Sequence, residues 1–282
     1  VNPNPVAFNI SPSAAQCPPV KIGINGSETG VNYILVLENS IQIDTLQGTG
    51  TALSFGAQTT SGNYTVLAYN AATLCKTEMN GTAVIKPAPI SYPMTPAGIL
   101  CPGTPIGLAN SEAGVSYQLI RNGGMLVGSA VAGTGKPINF GSQDLPGTYT
   151  IEATGANGCP NMMDGSVVIN PLPTAFTVNP AGTHCQGTAI TINGSETGID
   201  YILFRGGIFP VDTLQGTGSA LNFGLPAIEG IYSVLAVNNI STCQNMMSGS
   251  TKILPNPLNF DITPAGVNCG SAVAGLDGSE KG

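Results

Sequence analysis

Charge is scarce in this sequence: Lys, Arg, Asp and Glu make up 8% of its 282 residues, and the net charge is −7. So few cations, on an acidic balance, exclude nucleic acid and anionic lipid as partners. Tryptophan is absent and histidine occurs once, at His184. A single histidine builds no repeated Ser/His/Asp or Cys/His constellation, so the chain reads as no enzyme and His184 as a surface residue. Without Trp the aromatic platforms that stack sugars are thin, with exposed Tyr92 a weak substitute. No apolar run approaches the ~20 residues of a membrane span, so no membrane insertion is expected in this segment, and no signal-peptide pattern opens it. Metal-type C-x-x-C spacing and Asp-rich calcium loops are both missing, and no cofactor is expected.

What is present repeats. The seven cysteines, Cys17, Cys75, Cys101, Cys159, Cys185, Cys243 and Cys269, are separated by 58 and 26 residues in strict alternation, a period of 84. Pro-x-Pro returns at Pro3/Pro5, Pro87/Pro89, Pro171/Pro173 and Pro255/Pro257, and Gly-x-Tyr at Gly62/Tyr64, Gly147/Tyr149 and Gly230/Tyr232. The first and third copies match best: Asn25-Gly-Ser-Glu-Thr-Gly30 recurs as Asn193-Gly-Ser-Glu-Thr-Gly198, and Asp44-Thr-Leu-Gln-Gly-Thr-Gly50 as Asp212-Thr-Leu-Gln-Gly-Thr-Gly218. A unit of this length owns a core, which favours beads on a string over a solenoid. The boundaries read 1–86, 87–170 and 171–254, with 255–282 the start of a truncated fourth repeat. So short a stretch buries no core of its own. Either the segment is cut from a longer array, or another chain completes those strands.

Within the first repeat seven short strands are expected, at 6–11, 20–25, 31–38, 41–46, 52–55, 63–69 and 82–86. Alternation is clearest in Tyr64-Thr-Val-Leu-Ala-Tyr69, where every second side chain faces a core. Asn25-Gly26, Asn122-Gly-Gly124, Asn157-Gly158 and Asn193-Gly194 read as turns supplying positive φ. Together these features predict an all-β chain of tandem immunoglobulin-like antiparallel β-sandwiches. The Pro-x-Pro segments, poor in amide donors, act as semi-rigid joints, giving an extended rod.

Two cysteines per small unit read as disulfides made in an oxidising compartment, which places the protein outside the cell. Pairing within a repeat, Cys17–Cys75, Cys101–Cys159 and Cys185–Cys243, is the default, with Cys269 left for a partner further on. A geometric objection keeps a second pattern open. The first cysteine lies between the first and second expected strands and the second between the sixth and seventh, at opposite ends of a standard sandwich. Pairing with the next repeat, as Cys17–Cys159 and Cys101–Cys243, would lace the array covalently.

Leu145-Pro-Gly-Thr-Tyr-Thr-Ile151, Asn157-Gly-Cys159 and the strand ending Asn170-Pro-Leu-Pro173 resemble the repeats of SprB-type gliding adhesins. More broadly they are similar to the Ig-like repeats of giant bacterial surface proteins exported by the type IX route. The first and third copies depart from that pattern, with Thr73-Leu-Cys75 and Thr242-Cys243 in place of the Asn-Gly-Cys turn. The resemblance implies a cell-surface filament in gliding motility that contacts substrata or polysaccharide. It also implies a glycoprotein, since Asp44-Thr45-Leu46 and Asp212-Thr213-Leu214 match an O-glycosylation sequon at Thr45 and Thr213. Asn-x-Ser/Thr, as at Asn25, Asn63, Asn80, Asn193 and Asn239, is discounted in a bacterial protein.

Glu28, Glu112, Glu196 and Glu280 recur in a Ser-Glu turn, read as satisfying turn amides against the alternative of a calcium or sugar site. Met79, Met163 and Met247 read as core. The leading functional reading is a structural stalk of a long extracellular adhesin, supplying reach, stiffness and protease resistance. The alternatives are a module binding polysaccharide or another surface, and a self-assembling fibre subunit that donates strands. The expected partners are neighbouring repeats, such ligands, and other copies in a filament.

Overall fold

The computed structural model describes residues 3–263, 270 and 273–279. Cys269 and Glu280 lie outside the described residues. Two compact units are present, Val1–Ile99 with Gly103–Ile169, and Leu100–Pro102 with Asn170–Gly282.

The first unit holds two sandwiches. In the first, β1 (Ile10–Ser11), β2 (Val20–Ile24) and β5 (Leu53–Gln58) form one sheet in the order β1-β2-β5. The facing sheet runs β4 (Ile41–Gln47), β3 (Val31–Leu37), β6 (Gly62–Asn70), with β7 (Lys76–Glu78) and β8 (Ala83–Ile85) both paired to β6. The second sandwich pairs β9 (Met94–Thr95), β11 (Thr104–Leu108) and β14 (Ile138–Gln143) on one side. On the other lie β10 (Gly98–Leu100), β17 (Val167–Ile169), β15 (Gly147–Thr154), β12 (Ser116–Arg121) and β13 (Met125–Ala132), with β16 (Pro160–Met162) on β15.

The second unit repeats the plan. β18 (Val178–Asn179), β20 (Thr191–Ile192) and β23 (Leu221–Asn222) make the short sheet. β19 (Gly182–Cys185), β26 (Thr251–Leu254), β24 (Gly230–Asn238), β21 (Ile199–Arg205) and β22 (Phe209–Gln215) make the long one, with β25 (Gln244–Met246) on β24. A two-strand pair, β27 (Ile262–Thr263) and β28 (Gly275–Leu276), follows. This is the antiparallel Ig-like plan of two packed sheets, in tandem.

Alternation drives each sheet. In β3, Val31, Tyr33, Leu35 and Leu37 point inward to a core shared with Tyr64, Val66 and Ala68 of β6, while the residues between them are half-exposed. The third repeat packs Ile199, Tyr201 and Leu203 against Tyr232, Val234 and Ala236 in the same register. The first strand of each repeat begins in one sheet and ends in the other. Ile10 pairs antiparallel with Ile24, whereas Gln16 pairs parallel with Ile85. Between them lies a cis proline peptide at Ser11-Pro12, matched at Thr95-Pro96 and Asn179-Pro180.

Two expectations change. Only Ile10–Ser11 of the stretch 6–11 is strand, and β7 is an additional strand ahead of the expected last one, where β8 lies. Positive φ holds at Asn122, Gly123 and Gly158 but not at Gly26 or Gly194. There glycine serves close approach instead: a Cβ on Gly26 would meet the Phe8 ring at 2.4 Å, and one on Gly194 the Phe176 ring at 2.4 Å.

Candidate functional site: cysteines, joints and strand-edge grooves

Cys17 follows the parallel bridge at Gln16 and precedes β2; Cys159 directly precedes β16. The two are bonded, with Cα atoms 5.3 Å apart. Cys101 is likewise bonded to Cys243, at 5.4 Å. A cysteine bonds once, so these bonds displace all three within-repeat pairs, Cys17–Cys75, Cys101–Cys159 and Cys185–Cys243. The reason lies in the topology. Successive strands run in alternate directions, so the turns after the first and the sixth strands lie at opposite ends of a sandwich. A strand of six or seven residues is about 20 Å long, far beyond disulfide reach. Cys185 ends β19 and is exposed; Cys75 is half-buried.

The recurring glutamates hold the joints. Glu28 accepts the amide of Val6 at 2.7 Å, and Glu112 that of Ile90. Glu196 accepts both the amide and the hydroxyl of Thr174, at 2.9 and 2.6 Å. Each donor lies in the segment leaving a Pro-x-Pro. On the other side, Asn161 donates to the Pro89 carbonyl and Asn245 to that of Pro173, both at 2.7 Å. In the first repeat Thr77 stands in the place of that asparagine, and its buried hydroxyl has no partner. Lys86 Nζ and Asn157 Nδ2 add bonds to the Asn157 and Pro87 carbonyls, at 3.4 and 2.7 Å.

Two tyrosines per repeat fix the frame. Tyr33, Tyr117 and Tyr201 accept the backbone amides of Glu28, Glu112 and Glu196 at 2.8–2.9 Å. Burial pushes all three phenols above the ordinary tyrosine value, and the adjacent glutamate carboxylate adds to the rise. Tyr64, Tyr149 and Tyr232 donate to the carbonyls of Thr60, Leu145 and Ile228, four residues upstream. That is the tyrosine corner of Ig sandwiches, and the Gly-x-Tyr repeat is its mark in the sequence.

The remaining singled-out residues have plain settings. Thr45 and Thr213 are exposed on β4 and β22, the edge strands of their sheets. His184 faces the Ala181 carbonyl at 3.0 Å. Met79, Met163 and Met247 are buried. Sequence reasoning passed over Arg121 and Arg205, the chain's two arginines, although their spacing of one period was a usable signal. Each ends the inner strand of a hairpin and lines a groove, of about 400 Å³ with Met125, Leu126, Leu145 and Tyr149, and about 290 Å³ with Phe209, Val211, Ile228 and Tyr232.

No protein-family model and no curated protein matches the chain. Among solved structures, it is similar to a three-Ig fragment of titin, domains I67–I69, at 12% identity over 86% of this chain and 94% of that one, with a TM-score of 0.37. Insect hemolin is 17% identical over 88% and 76%, at 0.35, and a D1–D4 fragment of ICAM-5 is 11% identical over 89% and 77%, at 0.36. At scores this low the likenesses add nothing to the fold read from the sheets.

Proposed function

We propose that the chain is a spacer segment of a long extracellular surface fibre, of the kind its repeats resemble in gliding adhesins, in which each repeat is stapled to the next. The observation that carries this is the disulfide spacing. Cys17–Cys159 and Cys101–Cys243 each span 142 residues, one period plus the distance between the two cysteines of a repeat. A bond of that register ties one repeat of the sequence to the next rather than merely closing one fold. The joints support the same reading, because Glu112 and Asn161 hold both sides of the Pro89–Ile90 peptide. Disulfides place the chain in an oxidising compartment, and the proposal puts that compartment outside the cell. Exposed Thr45 and Thr213 are the proposed points of glycan attachment.

The test is small-angle scattering on residues 1–282 before and after reduction. An elongated particle whose maximum dimension becomes more heterogeneous on reduction supports the spacer. A compact particle, unchanged by reduction, sinks it.

A further inference from the structure

Arg121 and Arg205 are two of only eight cationic side chains in a chain whose net charge is −7. Their stems lie across Gly147 and Gly230, whose φ values are +149° and +147°. A Cβ at Gly147 would stand 3.1 Å from Arg121 Cγ, and one at Gly230 2.9 Å from Arg205 Cγ. The glycines therefore do more than bend the chain: they leave room for each arginine stem to lie flat beside the groove. In the first repeat the corresponding residue over Gly62 is Leu37, so the cation belongs to the second and third repeats.

Neither guanidinium forms an ion pair among the described residues. Arg121 reaches Met125 Sδ at 3.7 Å, and Arg205 lies 5.9 Å from the centre of the Phe209 ring. Exposed apolar side chains accompany them: Met125 and Leu126 in one groove, Phe209, Val211 and Ile228 in the other. These side chains belong in part to β13 and β22, which are sheet edges and carry backbone groups without a strand partner on one side. Pro210 offers no amide on β22, so main-chain pairing there is incomplete and the groove itself must supply the selectivity.

We propose that the two grooves are docking sites for an extended, acidic and apolar peptide segment of a partner protein. An apolar side chain enters the groove and a following carboxylate pairs with the arginine. Charge complementarity selects the acidic partner, since a held but unpaired guanidinium matches a carboxylate in bidentate geometry. The open edge selects an extended backbone. The groove in the third repeat is the stronger site. Asp144 lines the first groove, whereas its counterpart in the second is Ala227, and the exposed Glu229 that follows Ile228 is not part of that lining.

The test is fluorescence anisotropy on residues 1–282 with a labelled short peptide of alternating valine and aspartate, its valine–asparagine counterpart, and labelled polygalacturonate. Expected are saturable binding of the aspartate peptide, weakening with added salt, and an Arg205→Met loss of about tenfold, larger than that of Arg121→Met. Phe209→Ala, which removes an exposed ring and keeps the cation, should also weaken binding while leaving the circular-dichroism spectrum unchanged. The proposal is overturned by no saturation at about 1 mM peptide, by equal binding of the asparagine peptide, or by full binding to the double arginine variant. Arginine-dependent binding of polygalacturonate in place of the peptide would overturn it too, in favour of an acidic glycan.

Discussion

At the residue scale, one phenol per repeat performs two tasks. Tyr33 fills the core and accepts the Glu28 amide, so its ring and its oxygen are both committed. Its folded pKa lies above the unfolded value of about 10, as do those of Tyr117 and Tyr201. A raised phenol contributes its full stabilisation below the unfolded value and loses it as pH rises through the folded one. The melting temperature should therefore stay level with respect to these groups up to about pH 10 and fall above it. Tyr33→Phe should remove part of that alkaline loss and, by leaving the Glu28 amide without its partner, lower stability at neutral pH by about 1 kcal/mol. Thermal melts across the alkaline range check both. The arginines show what residue-level reading misses. Weighing chemistry by repeated cysteine and glutamate left out a cation that occurs only twice.

At the element scale, the hairpin ending at Gly48, Gly133 or Gly216 turns back against the Ser-Glu turn with no room to spare. A Cβ would meet the carbonyl oxygen of Glu28, Glu112 or Glu196 at 2.0, 2.0 and 1.8 Å. That oxygen belongs to the backbone and has nowhere to go. Gly216→Ala should cost about 3 kcal/mol, read from urea denaturation. Gly218→Ala, where φ is positive but the space is open, should cost about 1 kcal/mol.

Strand identity was legible because inward and outward residues alternate, and the cores at Tyr33, Leu35 and Val66 fall where alternation put them. Two things were not legible. The switch of the first strand from one sheet to the other depends on which partner each half finds, and no local pattern encodes a partner. Gly26 looks like a turn glycine next to Asn25, yet it is fixed by a ring 18 positions earlier, at Phe8.

At the scale of the whole molecule, the period announced tandem sandwiches without any coordinates, whereas the cysteine partners stayed undecided between two patterns. Spacing alone gives loop lengths, and both patterns keep the period; only the direction of the strands separates them. The bonds as formed yield a sharp expectation. Closing a loop of 142 residues restricts the unfolded chain by about 5 kcal/mol. Cys17→Ser should therefore lower the melting temperature of the first unit and let its two sandwiches melt in separate transitions. Differential scanning calorimetry of the variant beside the parent would register both effects; a single unshifted transition would contradict them.

The same bond has a mechanical meaning. A pull applied ahead of Cys17 and just after Cys159 crosses from one to the other through two sulfur atoms. The residues between them carry none of the load, and the hydrogen bonds of β2 to β15 are never asked to resist it. With the bond intact the stretch contributes only a few ångströms of tether; once it is cut, the same stretch can pay out roughly 500 Å, at about 3.5 Å per residue. A reductant thus acts as a length switch on a strained chain, and the staple converts a soft folded element into a nearly inextensible one.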